Sequence, residues 1–211
     1  MSVDRRRRRL LVATASADKL AELRGLLDLP NTDLLSLADL EGLDGTEPPI
    51  EDGPTFAANA LIKARVYGAR SGLPTLADDS GLEVEALDGG PGVRTRRYAG
   101  EDATDAENDA KLLAALADVP DERRGARYVC VLCFLAHPGD RPLVRTGLFE
   151  GRIARSARGS NGFGYDPIFE PASEPLGGRT VGQWSPEEKA AVSHRARAAR
   201  KLGAALRDLG W

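Results

Sequence analysis

The spacing of hydrophobic residues changes repeatedly along the chain between the period of a strand and that of a helix. An uninterrupted apolar run in residues 9–16, RLLVATAS, predicts a buried strand. Leucines at helical spacing in residues 17–29 predict a helix directly after it. Residues 55–72 predict a second helix, with Thr55 as its N-cap and Gly72 at its end.

The stretch TLADDSGLEV, residues 75–84, has two adjacent acids at the end of an apolar run. Its pattern predicts a strand that ends in a turn at the Ser-Gly pair, followed by a short strand in residues 82–87. In a turn, Asp78 and Asp79 would cap backbone N–H groups, whereas at a strand end they would suit a hard cation. The pattern alone leaves both interpretations open.

The rest of the chain continues to interleave strands with helices. The remaining predicted elements are a loop with one short strand at 31–54, a helix at 102–120, antiparallel strands at 126–137 and 142–154, a glycine-rich loop into a short strand at 159–169, and a helix at 185–209. This order predicts an α/β fold with a mixed sheet. A chain of 211 residues can bury a sizeable core, and we assign residues 10–211 to a single domain.

Composition narrows the classes of partner. With 29 basic and 32 acidic residues the formal net charge is −3, so no basic field typical of nucleic-acid binding covers the whole molecule. No apolar run approaches the roughly 18 residues of a membrane span. The apolar segment Leu10 to Ala13 is too short for a signal-peptide core, so we expect a cytoplasmic location. Residues 1–9 include five consecutive arginines, and we expect a disordered, solvated segment rather than an RNA tether.

The two cysteines, Cys130 and Cys133, form a C-x-x-C pair inside the strand pattern RYVCVLCFLAH. On a strand, residues three apart point to opposite faces, so the pair would neither chelate one ion nor form a disulfide. We therefore expect two reduced thiols in the core.

Two clusters of polar residues have the chemistry of a phosphate and metal site. The turn TASADK joins the first strand to the first helix, where backbone N–H groups favour a phosphate and Lys19 adds a positive charge. It lacks the spacing of a P-loop. Asp78 and Asp79 offer oxygen ligands of the kind that Mg²⁺ prefers, and one could accept a proton from an attacking water. Taken alone, each cluster is equally compatible with an ordinary helix start or a capped turn.

Two further clusters add an aromatic ring and a set of cations. The segment GFGYDP places glycines around Phe163 and Tyr165, which would leave an aromatic face open for stacking. Lys189 and the SHR tripeptide belong to the last helix, where cations alone are typical of a solvated face. Acids for a metal, cations for phosphates and an aromatic ring for a base together predict a nucleoside-triphosphate site.

Six sequence blocks resemble those of the Ham1-type nucleoside-triphosphate pyrophosphatases, in the same order along the chain. The blocks are TFAANALIKA, LADDSGLEVEAL, GGPGV, RYAGEDATD, FGYDPIF and EEKAAVSHR. The resemblance implies an elongated α/β molecule in which a long mixed sheet lies between two lobes, with the nucleotide in the cleft between them. It also implies Mg²⁺-dependent hydrolysis of ITP, dITP and XTP to the monophosphate and pyrophosphate by a homodimer.

The resemblance also implies roles for individual residues. Asp79 matches the metal-binding acid and proton acceptor of the family, with Glu51 and Asp78 as further candidate metal ligands. The residues implied to contact substrate are the phosphate loop Thr14, Ala15, Ser16, Ala17, Asp18 and Lys19; the lysines Lys63 and Lys189; Ser80; and the base pocket Phe163, Gly164, Tyr165, Asp166, His194 and Arg195.

Arg195 and Asp166 suggest how the base would be selected. Arg195 only donates hydrogen bonds and an ionised Asp166 only accepts them. That pair suits the 6-oxo group and the N1–H of hypoxanthine and xanthine, and leaves groups unsatisfied against adenine.

The phosphate loop departs from the family pattern T-x-N-x-G-K. Ser16 stands where asparagine is usual, and Asp18 brings a negative charge where glycine is usual. A second hypothesis is therefore a nucleotide-binding homologue with reduced or lost catalysis. A third is a Maf-like pyrophosphatase that acts on modified nucleotides.

Overall fold

A computed structural model describes residues 7–43 and 45–211 of the chain. The strands are β1 (Arg8–Ala13), β2 (Thr32–Leu35), β3 (Thr75–Val84), β4 (Gly125–Leu135), β5 (Leu143–Ile153) and β6 (Phe169–Pro171). The helices are α1 (Ala17–Leu26), α2 (Phe56–Ser71), α3 (Asp105–Ala115), α4 (Pro186–Val192) and α5 (His194–Asp208). This interleaved order confirms the predicted α/β class. Among the described residues, no helix has both the length and the apolar character needed to cross a membrane.

The strands form one mixed sheet in the order β2-β1-β3-β4-β5-β6. β1 runs parallel to both β2 and β3, while β5 and β6 are antiparallel. Parallel neighbours need a crossover connection, and α1 and α2 provide it between β1, β2 and β3. Leu10 and Leu11 of β1 are fully buried, as expected for a strand covered on both faces.

The chain divides into two compact units, each with residues from separate parts of the sequence. Unit 1 contains the described residues up to 79 together with 131–146 and 198–211. Unit 2 contains residues 80–130 and 147–197.

The first strand begins earlier than the pattern predicts. Arg8 and Arg9, which we assigned to a disordered segment, pair in register with Thr32 and Asp33 of β2. Arg7 donates to the backbone oxygen of Thr32 and forms an ion pair with Asp33. Strand pairing thus extends into the arginine run, and the run's first two residues lie outside the described residues.

Helix caps follow the predicted positions. Thr55 caps α2 by accepting a hydrogen bond from the N–H of Ala58, and Gly72 ends the helix in the left-handed conformation at φ 66°.

The single helix predicted at 185–209 is instead two helices, because the backbone of Ser193 is extended. Its backbone closes α4, and its hydroxyl accepts from the N–H of Ala196 in the first turn of α5.

The turn predicted at the Ser-Gly pair is wrong. Residues 75–84 form one continuous strand, β3, and both acids lie inside it. Leu82 and Val84 are fully buried in the core of unit 2, and the N–H of Leu82 donates to the Thr95 hydroxyl. These interactions stabilise the extended backbone beyond the acids, and they come from residues remote in sequence.

The cysteine prediction is confirmed. Cys130 and Cys133 are both buried in β4 and form no disulfide. Burial raises the pKa of the Cys133 thiol to about 11, so this side chain remains a protonated part of the core.

Candidate active site

The residues predicted to bind substrate and metal gather in two clusters, one in each unit. The acid–lysine cluster in unit 1 comprises Lys19, Glu51, Lys63, Asp78 and Asp79. The aromatic–cation cluster in unit 2 comprises Tyr128, Phe163, Asp166, Lys189, His194 and Arg195.

The acid–lysine cluster is a network of ion pairs in which Lys63, Asp78 and Asp79 are buried, and Lys19 and Glu51 are partly exposed. Lys63 Nζ lies 2.8 Å from Glu51 Oε2 and 3.4 Å from Asp79 Oδ1. Lys19 Nζ lies 3.1 Å from Asp78 Oδ2. Asp78 is 1% exposed and Asp79 is 8% exposed. Three carboxylates against two ammonium groups leave one negative charge in excess, which favours the binding of a further cation.

The pKa shifts of the cluster reflect this imbalance. Burial raises the pKa of Asp79, and the nearby charges of Glu51 and Asp78 add to the rise, while Lys63 and Lys19 oppose it. Burial alone would lower the pKa of Lys63, but attraction to the three carboxylates outweighs it, and the net pKa is raised. Lys63 therefore stays charged, and Asp79 is the acid whose ionised form lacks full compensation.

A second observation also suits Asp79 as a ligand of Mg²⁺. Its Oδ2 atom is buried and has no hydrogen-bond partner among the described residues, which is costly for an ionised oxygen. The described residues contain no group of three or more His, Cys, Asp or Glu that could hold a metal alone. Mg²⁺ usually binds proteins through one or two carboxylates, with waters and substrate phosphates as its other ligands. The open oxygen of Asp79, with Glu51 nearby, matches that pattern.

Local hydrogen bonds position the ligands of this cluster. The side-chain oxygen of Asn59 on α2 accepts from the N–H of Gly53, which anchors the segment that carries Glu51. Lys63 follows Asn59 by four residues and lies on the same face of the helix. One helix therefore both fixes the Glu51 segment and supplies its lysine partner.

The altered phosphate loop forms a regular helix start. Thr14 Oγ1 accepts from the N–H of Ser16, and Ser16 Oγ accepts from the N–H of Lys19, so Ser16 is the N-cap of α1. Asp18 is exposed in the first helical turn, where the positive end of the helix favours an acid. Ala15 and Ala17 are also exposed, and Lys19 reaches Asp78. The carboxylate of Asp18 is thus not one of the three acids in the cluster.

The aromatic–cation cluster is organised around the buried carboxylate of Asp166, which is 1% exposed. It accepts hydrogen bonds from the Tyr128 hydroxyl at 3.2 Å, from the N–H of Phe163 at 3.0 Å and from Lys189 Nζ at 2.7 Å. Burial raises the pKa of Tyr128 well above its usual value, with Asp166 contributing, so the hydroxyl remains a donor. Asp166 therefore fixes the loop and Lys189 in place through these hydrogen bonds, and its predicted contact with the base stays a prediction.

Two cations lie close to the ring of Phe163. Lys189 Nζ is 4.2 Å from the ring centroid, and the Arg195 guanidinium carbon is 5.7 Å from it. Arg195 also donates to the Ser80 hydroxyl at 3.0 Å. The structure thus brings Phe163, Lys189, Ser80 and Arg195 together, whereas their predicted contacts with substrate stay predictions.

The break before α5 determines where His194 points. His194 is the first residue of that helix, and its ring stacks on Tyr128 with a centroid separation of 4.7 Å and an interplanar angle of 10°. Sequence analysis missed Tyr128 because it lies in an apolar strand pattern. An aromatic hydroxyl within such a strand is the signal that could have indicated a buried partner.

The prediction of an open aromatic face at Tyr165 is wrong. Tyr165 is buried, its hydroxyl donates to the Thr95 carbonyl at 2.8 Å, and its ring belongs to the core of unit 2. Phe163 is only partly buried and keeps an exposed portion of its ring. Gly162, at φ 76°, is required because a Cβ there would overlap the Asp166 carboxylate. Gly164 donates its N–H to Asp105 of α3 at 2.7 Å.

Asp109 of α3 is a second buried acid that sequence analysis did not identify. Its Oδ1 atom is buried and has no hydrogen-bond partner among the described residues. Burial, together with the charges of Asp105 and Asp166, raises its pKa from 3.8 to about 7. The one sequence signal for this raised pKa is the position of Asp109, four residues after Asp105 on the same helix face, because like charges at that spacing repel.

This shift predicts that stability falls as pH rises. Between about pH 4 and pH 7, folded Asp109 holds a proton that the unfolded chain has released, so raising the pH removes stability. We expect Asp109→Asn to flatten that dependence. At pH 8 it should raise the free energy of unfolding by about 1–3 kcal/mol, because a buried charge without a partner is removed. Urea unfolding at a series of pH values measures both effects.

Asp118→Asn is the matched control for this experiment, since Asp118 is an exposed acid just beyond the same helix. It should leave the pH dependence unchanged. A stability profile for Asp109→Asn that parallels the wild type would show that Asp109 titrates normally in the folded protein.

Comparison with known proteins identifies the family. The chain matches the Ham1 family over residues 10–205 and belongs to it. It is 47% identical over 207 residues to a dITP/XTP pyrophosphatase of Corynebacterium efficiens, an alignment that covers 95% of this chain and 98% of the relative. A dITP/XTP pyrophosphatase of Mycolicibacterium paratuberculosis is 50% identical over 200 residues, covering 95% and 96% of the two chains.

A solved structure supports the same assignment. The HAM1 protein from Coxiella burnetii superposes with a TM-score of 0.85 at 42% identity, covering 95% of this chain and 99% of that one. The mixed sheet and its helices are therefore those of the Ham1 fold.

Proposed function

We propose that this chain hydrolyses non-standard purine nucleoside triphosphates, ITP, dITP and XTP, to the monophosphate and pyrophosphate. The acid–lysine cluster is assigned to the triphosphate and the aromatic–cation cluster to the base. The observation that carries the proposal is the buried, unsatisfied oxygen of Asp79 beside two lysines. The names of its relatives, dITP/XTP pyrophosphatases, supply the substrate class.

Asp79 and Glu51 would hold Mg²⁺, with Asp78 as a supporting acid that keeps Lys19 in place. When bound, the ion neutralises phosphate charge and promotes attack by water at the α-phosphorus. Asp79 is also our candidate to accept the proton of that water, although coordination to the ion would lower its basicity, so the metal role is its primary one. Pyrophosphate is the leaving group.

Lys19 and Lys63 would balance the remaining charge of the triphosphate. The start of α1 adds backbone N–H groups, and the exposed residues of the phosphate loop, Ala15 and Ala17, let a phosphate approach the backbone. Asp18 is not one of the acids of the acid–lysine cluster, but its charge in the first turn of α1 would repel a phosphate that approaches these N–H groups.

We propose that the hydrogen-bond donors of the aromatic–cation cluster select the base. Lys189 and Arg195 lie beside the Phe163 ring, and both side chains only donate hydrogen bonds. A 6-oxo purine presents an acceptor at that position, whereas adenine presents an amino donor. A site rich in donors would therefore disfavour ATP, since a buried donor facing another donor stays unsatisfied.

Pyrophosphate release from ITP, XTP, dITP, dGTP, ATP and a modified pyrimidine triphosphate tests the proposal. We expect turnover of ITP and XTP to exceed that of ATP by at least about a hundredfold, and chelation of Mg²⁺ to abolish it. A preference for the modified pyrimidine would favour the Maf-like hypothesis. Tight ITP binding without turnover in Mg²⁺ would favour a homologue that has lost catalysis.

The proposal includes a homodimer that acts in the cytoplasm. It is supported by the resemblance to Ham1-type enzymes. Light scattering after size-exclusion chromatography would measure the oligomeric state.

A further inference from the structure

A pocket in unit 2 with a volume of about 150 Å³ is lined by four arginines and only two acids. We call it the arginine pocket, and its charged lining residues are Arg124, Arg152, Arg155, Arg158, Asp121 and Glu170. Four guanidinium groups against two carboxylates leave two positive charges in excess. Its described lining includes no member of either site cluster, so the proposed function does not account for it.

Arg124 is the most deeply buried of these arginines, with 2% of its surface exposed. It donates to three backbone carbonyls, those of Leu116, Ile153 and Ala154, and no carboxylate of the described residues forms an ion pair with it. These bonds use three of the five N–H donors of a guanidinium group. Its hydrogen bonds therefore all go to neutral carbonyls, while the charges of Asp121 and Glu170 attract it without a direct ion pair and that of Arg155 repels it. A bound anion would add a direct ionic partner.

The acids of the pocket are already engaged. Glu170 is buried between Arg152, at 2.7 Å, and Arg158, so one carboxylate serves two cations. Asp121 pairs with Arg155 at 2.6 Å. The Nε atom of Arg158 is buried and has no acceptor among the described residues. An unsatisfied guanidinium donor in a pocket with excess positive charge is the second observation that points to an anion.

We propose that the arginine pocket binds a small phosphoryl anion, such as inorganic phosphate or pyrophosphate. Arginine suits this ligand because its planar fork matches two phosphate oxygens, and Ser156 adds a hydroxyl to the lining. Pockets for drug-sized ligands begin at about 300 Å³, so the volume admits a phosphoryl group but not a nucleoside as well. The inference does not depend on the proposed activity.

The backbone of the pocket is continuous with the loop of the aromatic–cation cluster. The N–H of Arg158 donates to the Pro167 carbonyl at 2.8 Å, and the Thr180 hydroxyl donates to the Arg158 carbonyl at 2.6 Å. Residues 158–167, which include Phe163 and Asp166, thus start and end beside the pocket. An anion that binds only when this segment is ordered would stabilise it, because binding shifts the equilibrium toward the ordered form.

Arginine Nε–H resonances, followed by NMR in a metal-free buffer with chelator, test the proposal. Inorganic phosphate should shift the signals of Arg155 and Arg158, and inosine should not. Arg155→Gln should weaken phosphate binding about tenfold by calorimetry, as expected for the loss of one charge-assisted hydrogen bond. Arg155 is half exposed, so this variant should remain folded.

Arg127→Gln is the matched control. Arg127 is 49% exposed and pairs with Glu83 at 2.7 Å, whereas Arg155 is 53% exposed and pairs with Asp121 at 2.6 Å. Arg127 does not line the pocket, and its loss should leave phosphate binding unchanged. If both variants weakened phosphate binding equally, or if phosphate shifted the Nε–H resonances no more than chloride does, the arginines of the pocket would only stabilise the fold. Shifts with inosine monophosphate but not with inorganic phosphate would refute the size argument.

Discussion

Replacement of Asp79 by asparagine is expected to lower the turnover of ITP at least about a hundredfold, the scale of losing one key electrostatic group at an active site. Asparagine keeps the shape of the side chain but removes its charge. The acid–lysine cluster then loses its excess negative charge and the carboxylate oxygen that has no hydrogen-bond partner within the described part of the chain. Pyrophosphate release at saturating ITP measures the effect, and calorimetric titration with Mg²⁺ should show weaker metal binding.

Stability distinguishes this loss from unfolding. Burial and neighbouring acids raise the pKa of Asp79, so its ionised form is destabilising in the absence of a metal. Asp79→Asn should therefore unfold at an equal or higher denaturant concentration than the wild type in metal-free buffer. Asp28→Asn is the control, since Asp28 is an exposed acid of the same unit, and it should alter neither property. Wild-type turnover in Asp79→Asn would remove Asp79 from the mechanism.

Sequence patterns identified the residues of both clusters except Tyr128, but they did not predict the backbone conformation of the segments that carry them. Asp78 and Asp79 were expected beside a turn, because serine and glycine follow them directly. What keeps β3 extended is the burial of Leu82 and Val84 and the hydrogen bond from Leu82 to Thr95. Thr95 is 13 residues away from Leu82, so a local pattern cannot report it.

In the aromatic–cation cluster, too, local sequence patterns do not report contacts with residues remote in sequence. The SHR tripeptide indicated an irregularity, and the structure places a helix break at Ser193, which gives His194 its stack on Tyr128. Whether a buried acid presents its oxygens to a ligand depends on which donors surround it. The donors to Asp166 come from three separate segments, at Tyr128, Phe163 and Lys189.

The second large effect is expected at the buried pair of Asp166 and Lys189. Breaking a buried ion pair from one side leaves an uncompensated charge, and Asp166→Asn or Lys189→Met should each lower the free energy of unfolding by about 3–5 kcal/mol. Both side chains are almost fully buried, and their charged atoms are 2.7 Å apart. Urea unfolding of both single variants and of the double variant measures the coupling between them.

The double variant should be less destabilised than the sum of the two single variants, because it leaves neither charge buried alone. The half-exposed pair of Arg127 and Glu83 is the control, for which Glu83→Gln should cost no more than about 1 kcal/mol. Additive losses at Asp166 and Lys189 would show that the two residues act separately. Coupled losses would establish that the two residues stabilise the fold as one unit, to which the Phe163 N–H is also hydrogen-bonded through Asp166. Turnover of ITP should then fall in both single variants even at temperatures where they remain folded.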